Sequence, residues 1–207
     1  MNLNNLFQNF CKKNNLEINT YQLTIIDELK NYYNLNFNKS FLNKFFPKTN
    51  SKPAFYLQGS VGVGKTMILN FFFDLIEEKK LRKHFNEFML SFHDFAHKRK
   101  EKNEENIINL FVKDLKLKTK LIYFDEFQVT NIVDAMILGK LFEQIFKEDI
   151  KIILTSNIKI SELYKDGHQR DQFKPFIQIM EDQSIEFELK IEDDYRKSNE
   201  NQKQRYF

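Results

Sequence analysis

With 207 residues, 42% hydrophobic and 29% charged, the chain has the length and composition of a soluble α/β domain with a sizeable core. A net charge of +3 is too small to point to nucleic acid as a partner, and a single cysteine, Cys11, excludes an internal disulfide and suits a reducing, cytoplasmic compartment. No run approaches the ~18 apolar residues of a membrane span, and the Asn-rich start lacks the order of a secretory signal, which leaves only peripheral membrane contact open.

Residues 1–52 read as an N-terminal helical segment, 53–197 as the core domain and 198–207 as a polar tail without a period. The first segment carries seven Lys against Glu17, Asp27 and Glu28, a solvated face or a weak anionic contact. Leu23, Ile26, Leu29 and Tyr33 recur at helical spacing and predict a helix over 19–35. Residues 36–52 read as irregular. Ala54 to Leu57 form a short buried strand, Gly59 to Gly64 a loop, and Lys65 opens a helix reaching about Lys80. A second strand is expected over His84–Leu90, then helices over 92–100 and 104–114 with a charged break at Arg99–Asn103. Leu121–Asp125 is a third strand, Asn131–Lys147 a helix, Lys151–Ser156 a fourth strand leading into a helix or turns through Tyr164, and Ile185–Ile191 a fifth. Strands alternating with helices predict a mostly parallel five-stranded sheet covered on both faces, with ligands beyond the carboxyl ends of the strands.

The loop Gly59-Ser60-Val61-Gly62-Val63-Gly64-Lys65-Thr66 fits G-x-x-x-x-G-K-[ST] at every fixed position. Glycines let the backbone wrap N–H groups around phosphates, and the following helix aims its positive end at them. Lys65 supplies a charge to the β- and γ-phosphates of ATP, and Thr66 a hydroxyl to Mg2+. An apolar strand directly before and an apolar-faced helix directly after set this apart from a chance glycine loop.

Leu121 to Asp125 is an apolar strand ending in two carboxylates, Asp125 and Glu126. Asp125 is the expected magnesium ligand, directly or through water, and Glu126 the group that orients and activates the attacking water. The next strand ends at Thr155-Ser156-Asn157, where Asn157 would hold the lytic water or merely cap a helix. Arg170, in His168-Gln169-Arg170-Asp171, is either a finger reaching a neighbouring subunit's γ-phosphate or half of a surface salt bridge with Asp171 or Asp166. His93-Asp94-Phe95-Ala96-His97 resembles a zinc-protease helix, but Asp replaces Glu and no third ligand is evident, so it reads as a helix with two partly exposed histidines. No Asn-Lys-x-Asp guanine reader appears, which disfavours GTP.

Beyond these motifs, the chain resembles the ATPases of the cell-division protein ZapE and their mitochondrial, lactation-elevated relatives, a branch of the AAA+ (ASCE-type phosphate-loop) superfamily. The resemblance covers roughly Asn19 to Arg196. It rests on the phosphate loop with Met67, His84-Phe85, Phe88-Met89, and the block Phe124 to Thr130 continuing through Asp134 to Leu138. Thr155-Ser156-Asn157, Leu163-Tyr164, Gln169-Arg170, Pro175-Phe176 and Asp193–Arg196 complete it. It implies Mg2+-dependent ATP hydrolysis by a homo-oligomer that remodels a protein partner. It makes Asn157 the first sensor and supports Arg170 as the finger. The implied setting is bacterial division, through the tubulin-like ring protein and with possible contact at the inner membrane or division site, or mitochondrial protein quality control. A DNA-associated loader-like ATPase and a nucleotide-switched binding module are the other readings; the low net charge disfavours the first and Glu126 the second. Asn131 and Asn86 depart from the family's usual acid and second His. Family members also continue past the Asp-Tyr-Arg element into a lid, so the sequence reads either as a fragment or as a chain whose lid is truncated.

Overall fold

A computed structural model of the chain describes residues 3–37, 51–99 and 103–190. The expectations for most of the irregular stretch at 36–52, for the middle of the 99–103 break, for Ile191, for Asp193–Arg196 and for the tail at 198–207 lie outside the described residues.

Among the described residues thirteen elements follow in order: helix α1 (Leu3–Lys13), helix α2 (Thr20–Asn36), strand β1 (Ala54–Gln58), helix α3 (Lys65–Leu75), strand β2 (Lys80–His84), helix α4 (Phe85–Arg99), helix α5 (Glu104–Lys118), strand β3 (Leu121–Asp125), helix α6 (Ile132–Lys147), strand β4 (Lys151–Ser156), a 3-10 turn (Ile160–Glu162), helix α7 (Arg170–Gln183) and strand β5 (Ser184–Glu188). The strands form one sheet in the order β2-β3-β4-β1-β5, and every neighbouring pair is parallel. β1, β3 and β4 are buried along their whole length, which is why they read as unbroken apolar runs, whereas the edge strands β2 and β5 alternate and carry charge.

Alternate residues of the central strands face two separate cores. Tyr56, Ile122, Phe124, Ile152 and Leu154 pack with α4 to α7. Phe55, Leu57, Tyr123 and Ile153 pack with α1, α2 and α3. The phenylalanines carry much of this packing: Phe85, Phe88, Phe127 and Phe142 are all fully buried around Phe124, and Phe176 stacks on Phe127 beyond them. Each such ring contributes roughly 2 kcal/mol by leaving water. On the other face, Phe7 of α1 meets Phe71 of α3 edge-on, with ring centroids 5.1 Å apart. The Tyr32 hydroxyl of α2 donates to the Pro53 and Ile152 carbonyls at 2.8 and 3.2 Å, fastening that helix to the sheet.

Several boundaries differ from the sequence expectation. The second strand is Lys80–His84, and His84–Leu90 is not a strand; α4 starts at Phe85. Phe85, Phe88, Met89 and Phe92 are the buried residues of α4, at spacings of three and four, so a helical stripe wins over the β preference of its individual residues. Helix α3 ends at Leu75, not near Lys80, because Ile76 turns to extended backbone at φ −78°, ψ 126°. Helix α5 runs on to Lys118. Helix α7 has no counterpart in the sequence expectation, since Pro175 lies inside it and normally breaks a helix. The fifth strand starts at Ser184. For α2, Asn19 is the N-cap and forms a reciprocal capping box with Gln22. Asn131, the departure from the family's acid, caps α6 by accepting from the Val133 N–H at 2.9 Å.

Candidate active site

The carboxyl ends of β1, β3 and β4 lie side by side, with Gln58 in register with Ser156 and Phe124 with Leu154. The residues that follow those ends make the site. After β1 the chain turns through Gly59 at φ 156°, Gly62 at φ 82° and Gly64 at φ 98°, backbone angles that side chains other than glycine rarely adopt. At Gly59 there is also no room: a Cβ would lie 2.5 Å from the Leu189 carbonyl oxygen. Val63 is buried in the α2–α3 core and anchors the loop, while Val61 at its tip is 82% exposed and Ser60 is exposed beside it. Gly64 caps α3, so Lys65 and Thr66 are the helix's first residues and their backbone donors stand at its positive end.

Lys65 is almost buried, and its ammonium donates to the Gly59 carbonyl at 2.8 Å, the Ser60 carbonyl at 2.7 Å and Asn157 Oδ1 at 2.9 Å. Burial pulls its pKa down; the charges of Glu126 and Asp125 pull the other way. Lys65 and Asn157 are thus brought together across β1 and β4. Asn157 caps no helix, since Lys159 precedes the 3-10 turn.

Asp125 closes the other side. Its Oδ1 accepts from Thr66 at 3.1 Å, Thr155 at 2.9 Å and Tyr123 at 3.2 Å, and its Oδ2 accepts from Arg82 Nη2 at 2.5 Å. Burial alone would push this carboxyl up; the hydrogen bonds from Arg82, Thr155 and Thr66, with the Arg82 charge, more than offset it and hold the group below the usual carboxylate range. The Thr66 hydroxyl and the Asp125 carboxylate are adjacent hard oxygen donors, a pair chemically suited to magnesium, which prefers one or two carboxylates plus substrate phosphate oxygens. The loop glycines meet the second requirement, close backbone approach to a phosphate chain.

Glu126 follows directly. It is exposed and sits at φ 55°, in the left-handed region, with its N–H donating to Thr155 Oγ1 at 3.0 Å. The next N–H, that of Phe127, donates to the Thr155 carbonyl at 2.7 Å. Thr155 therefore holds the Asp125 carboxylate and the Glu126 backbone at once, through one hydroxyl and its own carbonyl. The sequence motifs assign no role to Thr155, Tyr123 or Arg82. The available signal was a hydroxyl at the polar end of an apolar strand and a cation in an edge strand.

Arg170 stands apart. It opens α7, and its Nη2 donates to the Ser161 carbonyl at 2.8 Å. Asp171 pairs with Lys174 instead, at 2.6 Å. His93 pairs with Asp134 at 2.6 Å across α4 and α6.

A family model for AFG1-like ATPases matches residues 8–207. Lactation elevated protein 1 homolog B of Danio rerio is 41% identical over 146 residues, covering 64% of this chain and 29% of that protein. Cell division protein ZapE of Escherichia coli (strain K12) is 34% identical over 142 residues, covering 68% of this chain and 37% of that protein. The chain thus spans well under half the length of these relatives. Among solved structures, the DnaC helicase loader superimposes with a TM-score of 0.55 at 12% identity, over 84% of this chain and 92% of the other. AMPPCP-bound DnaA from Aquifex aeolicus gives 0.54 at 18% identity, over 92% and 54%. These likenesses show the fold, a parallel sheet flanked by helices that the chain shares with both. The chain belongs to the AFG1-like ATPase family.

Proposed function

We propose that this member of the AFG1-like ATPase family binds ATP with magnesium at Gly59–Thr66 and hydrolyses it there. The observation that carries this reading is the single Asp125 carboxylate gathering Thr66 from the loop helix and Thr155 from β4, with Glu126 next to it and Lys65 bonded to Asn157. Loop N–H groups and the Lys65 ammonium bind the phosphates. Thr66 and Asp125 would hold magnesium, whose charge would offset that building on the phosphate oxygens. Glu126, exposed to solvent, accepts the proton of the attacking water, and Asn157 orients that water and the γ-phosphate. Hydrogen bonds from Thr155 and Tyr123 hold Asp125 in place, so little reorganisation is needed as charge develops.

The experiment is phosphate release with and without Mg2+, alongside nucleotide binding. Lys65→Ala loses nucleotide affinity, and unchanged affinity would refute the phosphate-loop assignment. By likeness to Cell division protein ZapE, the energy would drive a homo-oligomer that remodels a protein partner, with the tubulin-like division ring protein as candidate, in a bacterial cytoplasm with peripheral contact at the division site. The lone free cysteine agrees with a reducing compartment, and among the described residues no helix is long and apolar enough to cross a membrane. Stimulation of phosphate release by purified ring protein tests that extension.

A further inference from the structure

The two oxygens of Asp125 are used unequally. Oδ1 already accepts three hydroxyl donors, from Thr66, Thr155 and Tyr123. Oδ2 is taken by a cation, Arg82, at 2.5 Å. The sheet puts the guanidinium there. Arg82 is in register with Tyr123 in the parallel β2–β3 pair, so the two share a face, and Asp125, two residues beyond Tyr123, shares it too. The guanidinium carbon also lies 5.1 Å from the centroid of the Tyr123 ring.

A carboxylate suited to a divalent ion therefore already carries a monovalent one. Lys65 does not provide this charge by contact, because its three donors go to Gly59, Ser60 and Asn157. Both a divalent ion and the guanidinium draw on the same Asp125 charge, and each weakens the hold of the other.

We propose that Arg82 is an internal counter-cation of Asp125 that exchanges with the divalent metal and thereby sets the metal affinity of the phosphate site. Three observations support exchange over a permanent bridge. Asp125 has a side chain only 6% exposed, so losing every cation would strand a buried charge, a costly state. Arg82 has a side chain 42% exposed, so moving off costs little packing and its half-solvated pairing is weak enough to break. The Tyr123 face gives the guanidinium a place to stay when it yields the carboxylate. Exchange keeps Asp125 paired with and without metal. This proposal rests on the reading of Gly59–Thr66 as a phosphate site.

The test compares the unaltered chain with Arg82→Gln and Arg82→Lys, first by metal-free ADP titration, then by calorimetric Mg2+ titration of the ADP-saturated proteins. Metal-free ADP affinity stays alike in all three. Arg82→Gln binds Mg2+ roughly three- to ten-fold more tightly, as expected when a partly exposed competing charge is removed, and Arg82→Lys stays near the unaltered value. Unchanged or weaker Mg2+ binding by Arg82→Gln, with ADP still bound, overturns the exchange and leaves the phosphate site standing. Failure of the unaltered chain to bind ADP at all overturns both. Should Arg82→Gln not fold, the unaltered ADP-bound chain carries the test. Phenylglyoxal labelling of Arg82, read by peptide mass spectrometry, rises on adding Mg2+ if the guanidinium is released, and constant labelling overturns the proposal.

Discussion

At the scale of single residues, the site depends on where hydroxyls and carboxylates are held, and two substitutions separate holding from chemistry. Glu126 has an exposed side chain, while its backbone is fixed at φ 55° by the bond to Thr155. Glu126→Gln leaves that backbone bond intact and removes only the proton acceptor. The expected outcome is ATP affinity within about two-fold of the unaltered chain and turnover down by ~10²-fold or more, measured as nucleotide binding and phosphate release. Undiminished release would remove Glu126 from the mechanism. Thr155 is buried, and its one hydroxyl donates to Asp125 and accepts from the Glu126 N–H. Thr155→Val keeps the shape and removes the buried hydroxyl donor to Asp125 together with the acceptor of the Glu126 N–H, so it should cost about 1–3 kcal/mol in denaturant unfolding and lower turnover as well. A stability loss with normal turnover would make Thr155 a fold residue only.

At the scale of elements, the site is only as fixed as the packing behind the loop. Asn19 and Gln22 cap α2, and a Cβ on Gly64 would come 3.3 Å from Gln22 Nε2, so the start of α2 lies against the loop. Asn19→Ala should lower stability by ~1 kcal/mol, the usual worth of an N-cap, with a matching drop in the denaturation midpoint. Much of this arrangement was legible in the sequence. β1, β3 and β4 are short apolar runs, β1 leading into the glycine loop and β3 into two carboxylates, and buried parallel strands leave that signature. Helix α6 was legible for the same reason, with Asn131 before a clean periodic stretch. What stayed hidden lies where local and tertiary signals conflict. Phe85, Phe88 and Phe92 each favour a strand, but α4 forms because their spacing with Met89 buries them together. Pro175 hides α7, and the covered face of Phe173, Phe176, Ile177 and Met180 makes the helix form anyway. Arg82 lies outside the strand expected at His84–Leu90, and the Arg82–Tyr123 register that brings it to Asp125 is set by strand order.

For the molecule as a whole, the strand order decides which groups one chain can bring to its own nucleotide. β1, β3 and β4 are adjacent, so the loop, Asp125, Glu126 and Asn157 converge within one subunit. Arg170 does not join them: it is held at the start of α7 by the Ser161 carbonyl, and its Nε is buried without a partner among the described residues. A phosphoryl-transfer site gains from a further positive charge in the transition state, and an arginine that does not contact its own loop can supply it to a neighbour. If subunits pack head to tail, as such an arrangement requires, each catalytic interface takes Lys65 from one chain and Arg170 from the next. Lys65→Ala and Arg170→Ala should then each be inactive alone. Mixed in equal amounts and allowed to exchange subunits, they place an intact Lys65 beside an intact Arg170 at about one interface in four, restoring roughly a quarter of full phosphate release. No recovery in a mixture shown by light scattering to be oligomeric would confine Arg170 to its bond with Ser161. Full activity of Arg170→Ala alone would remove it from catalysis altogether.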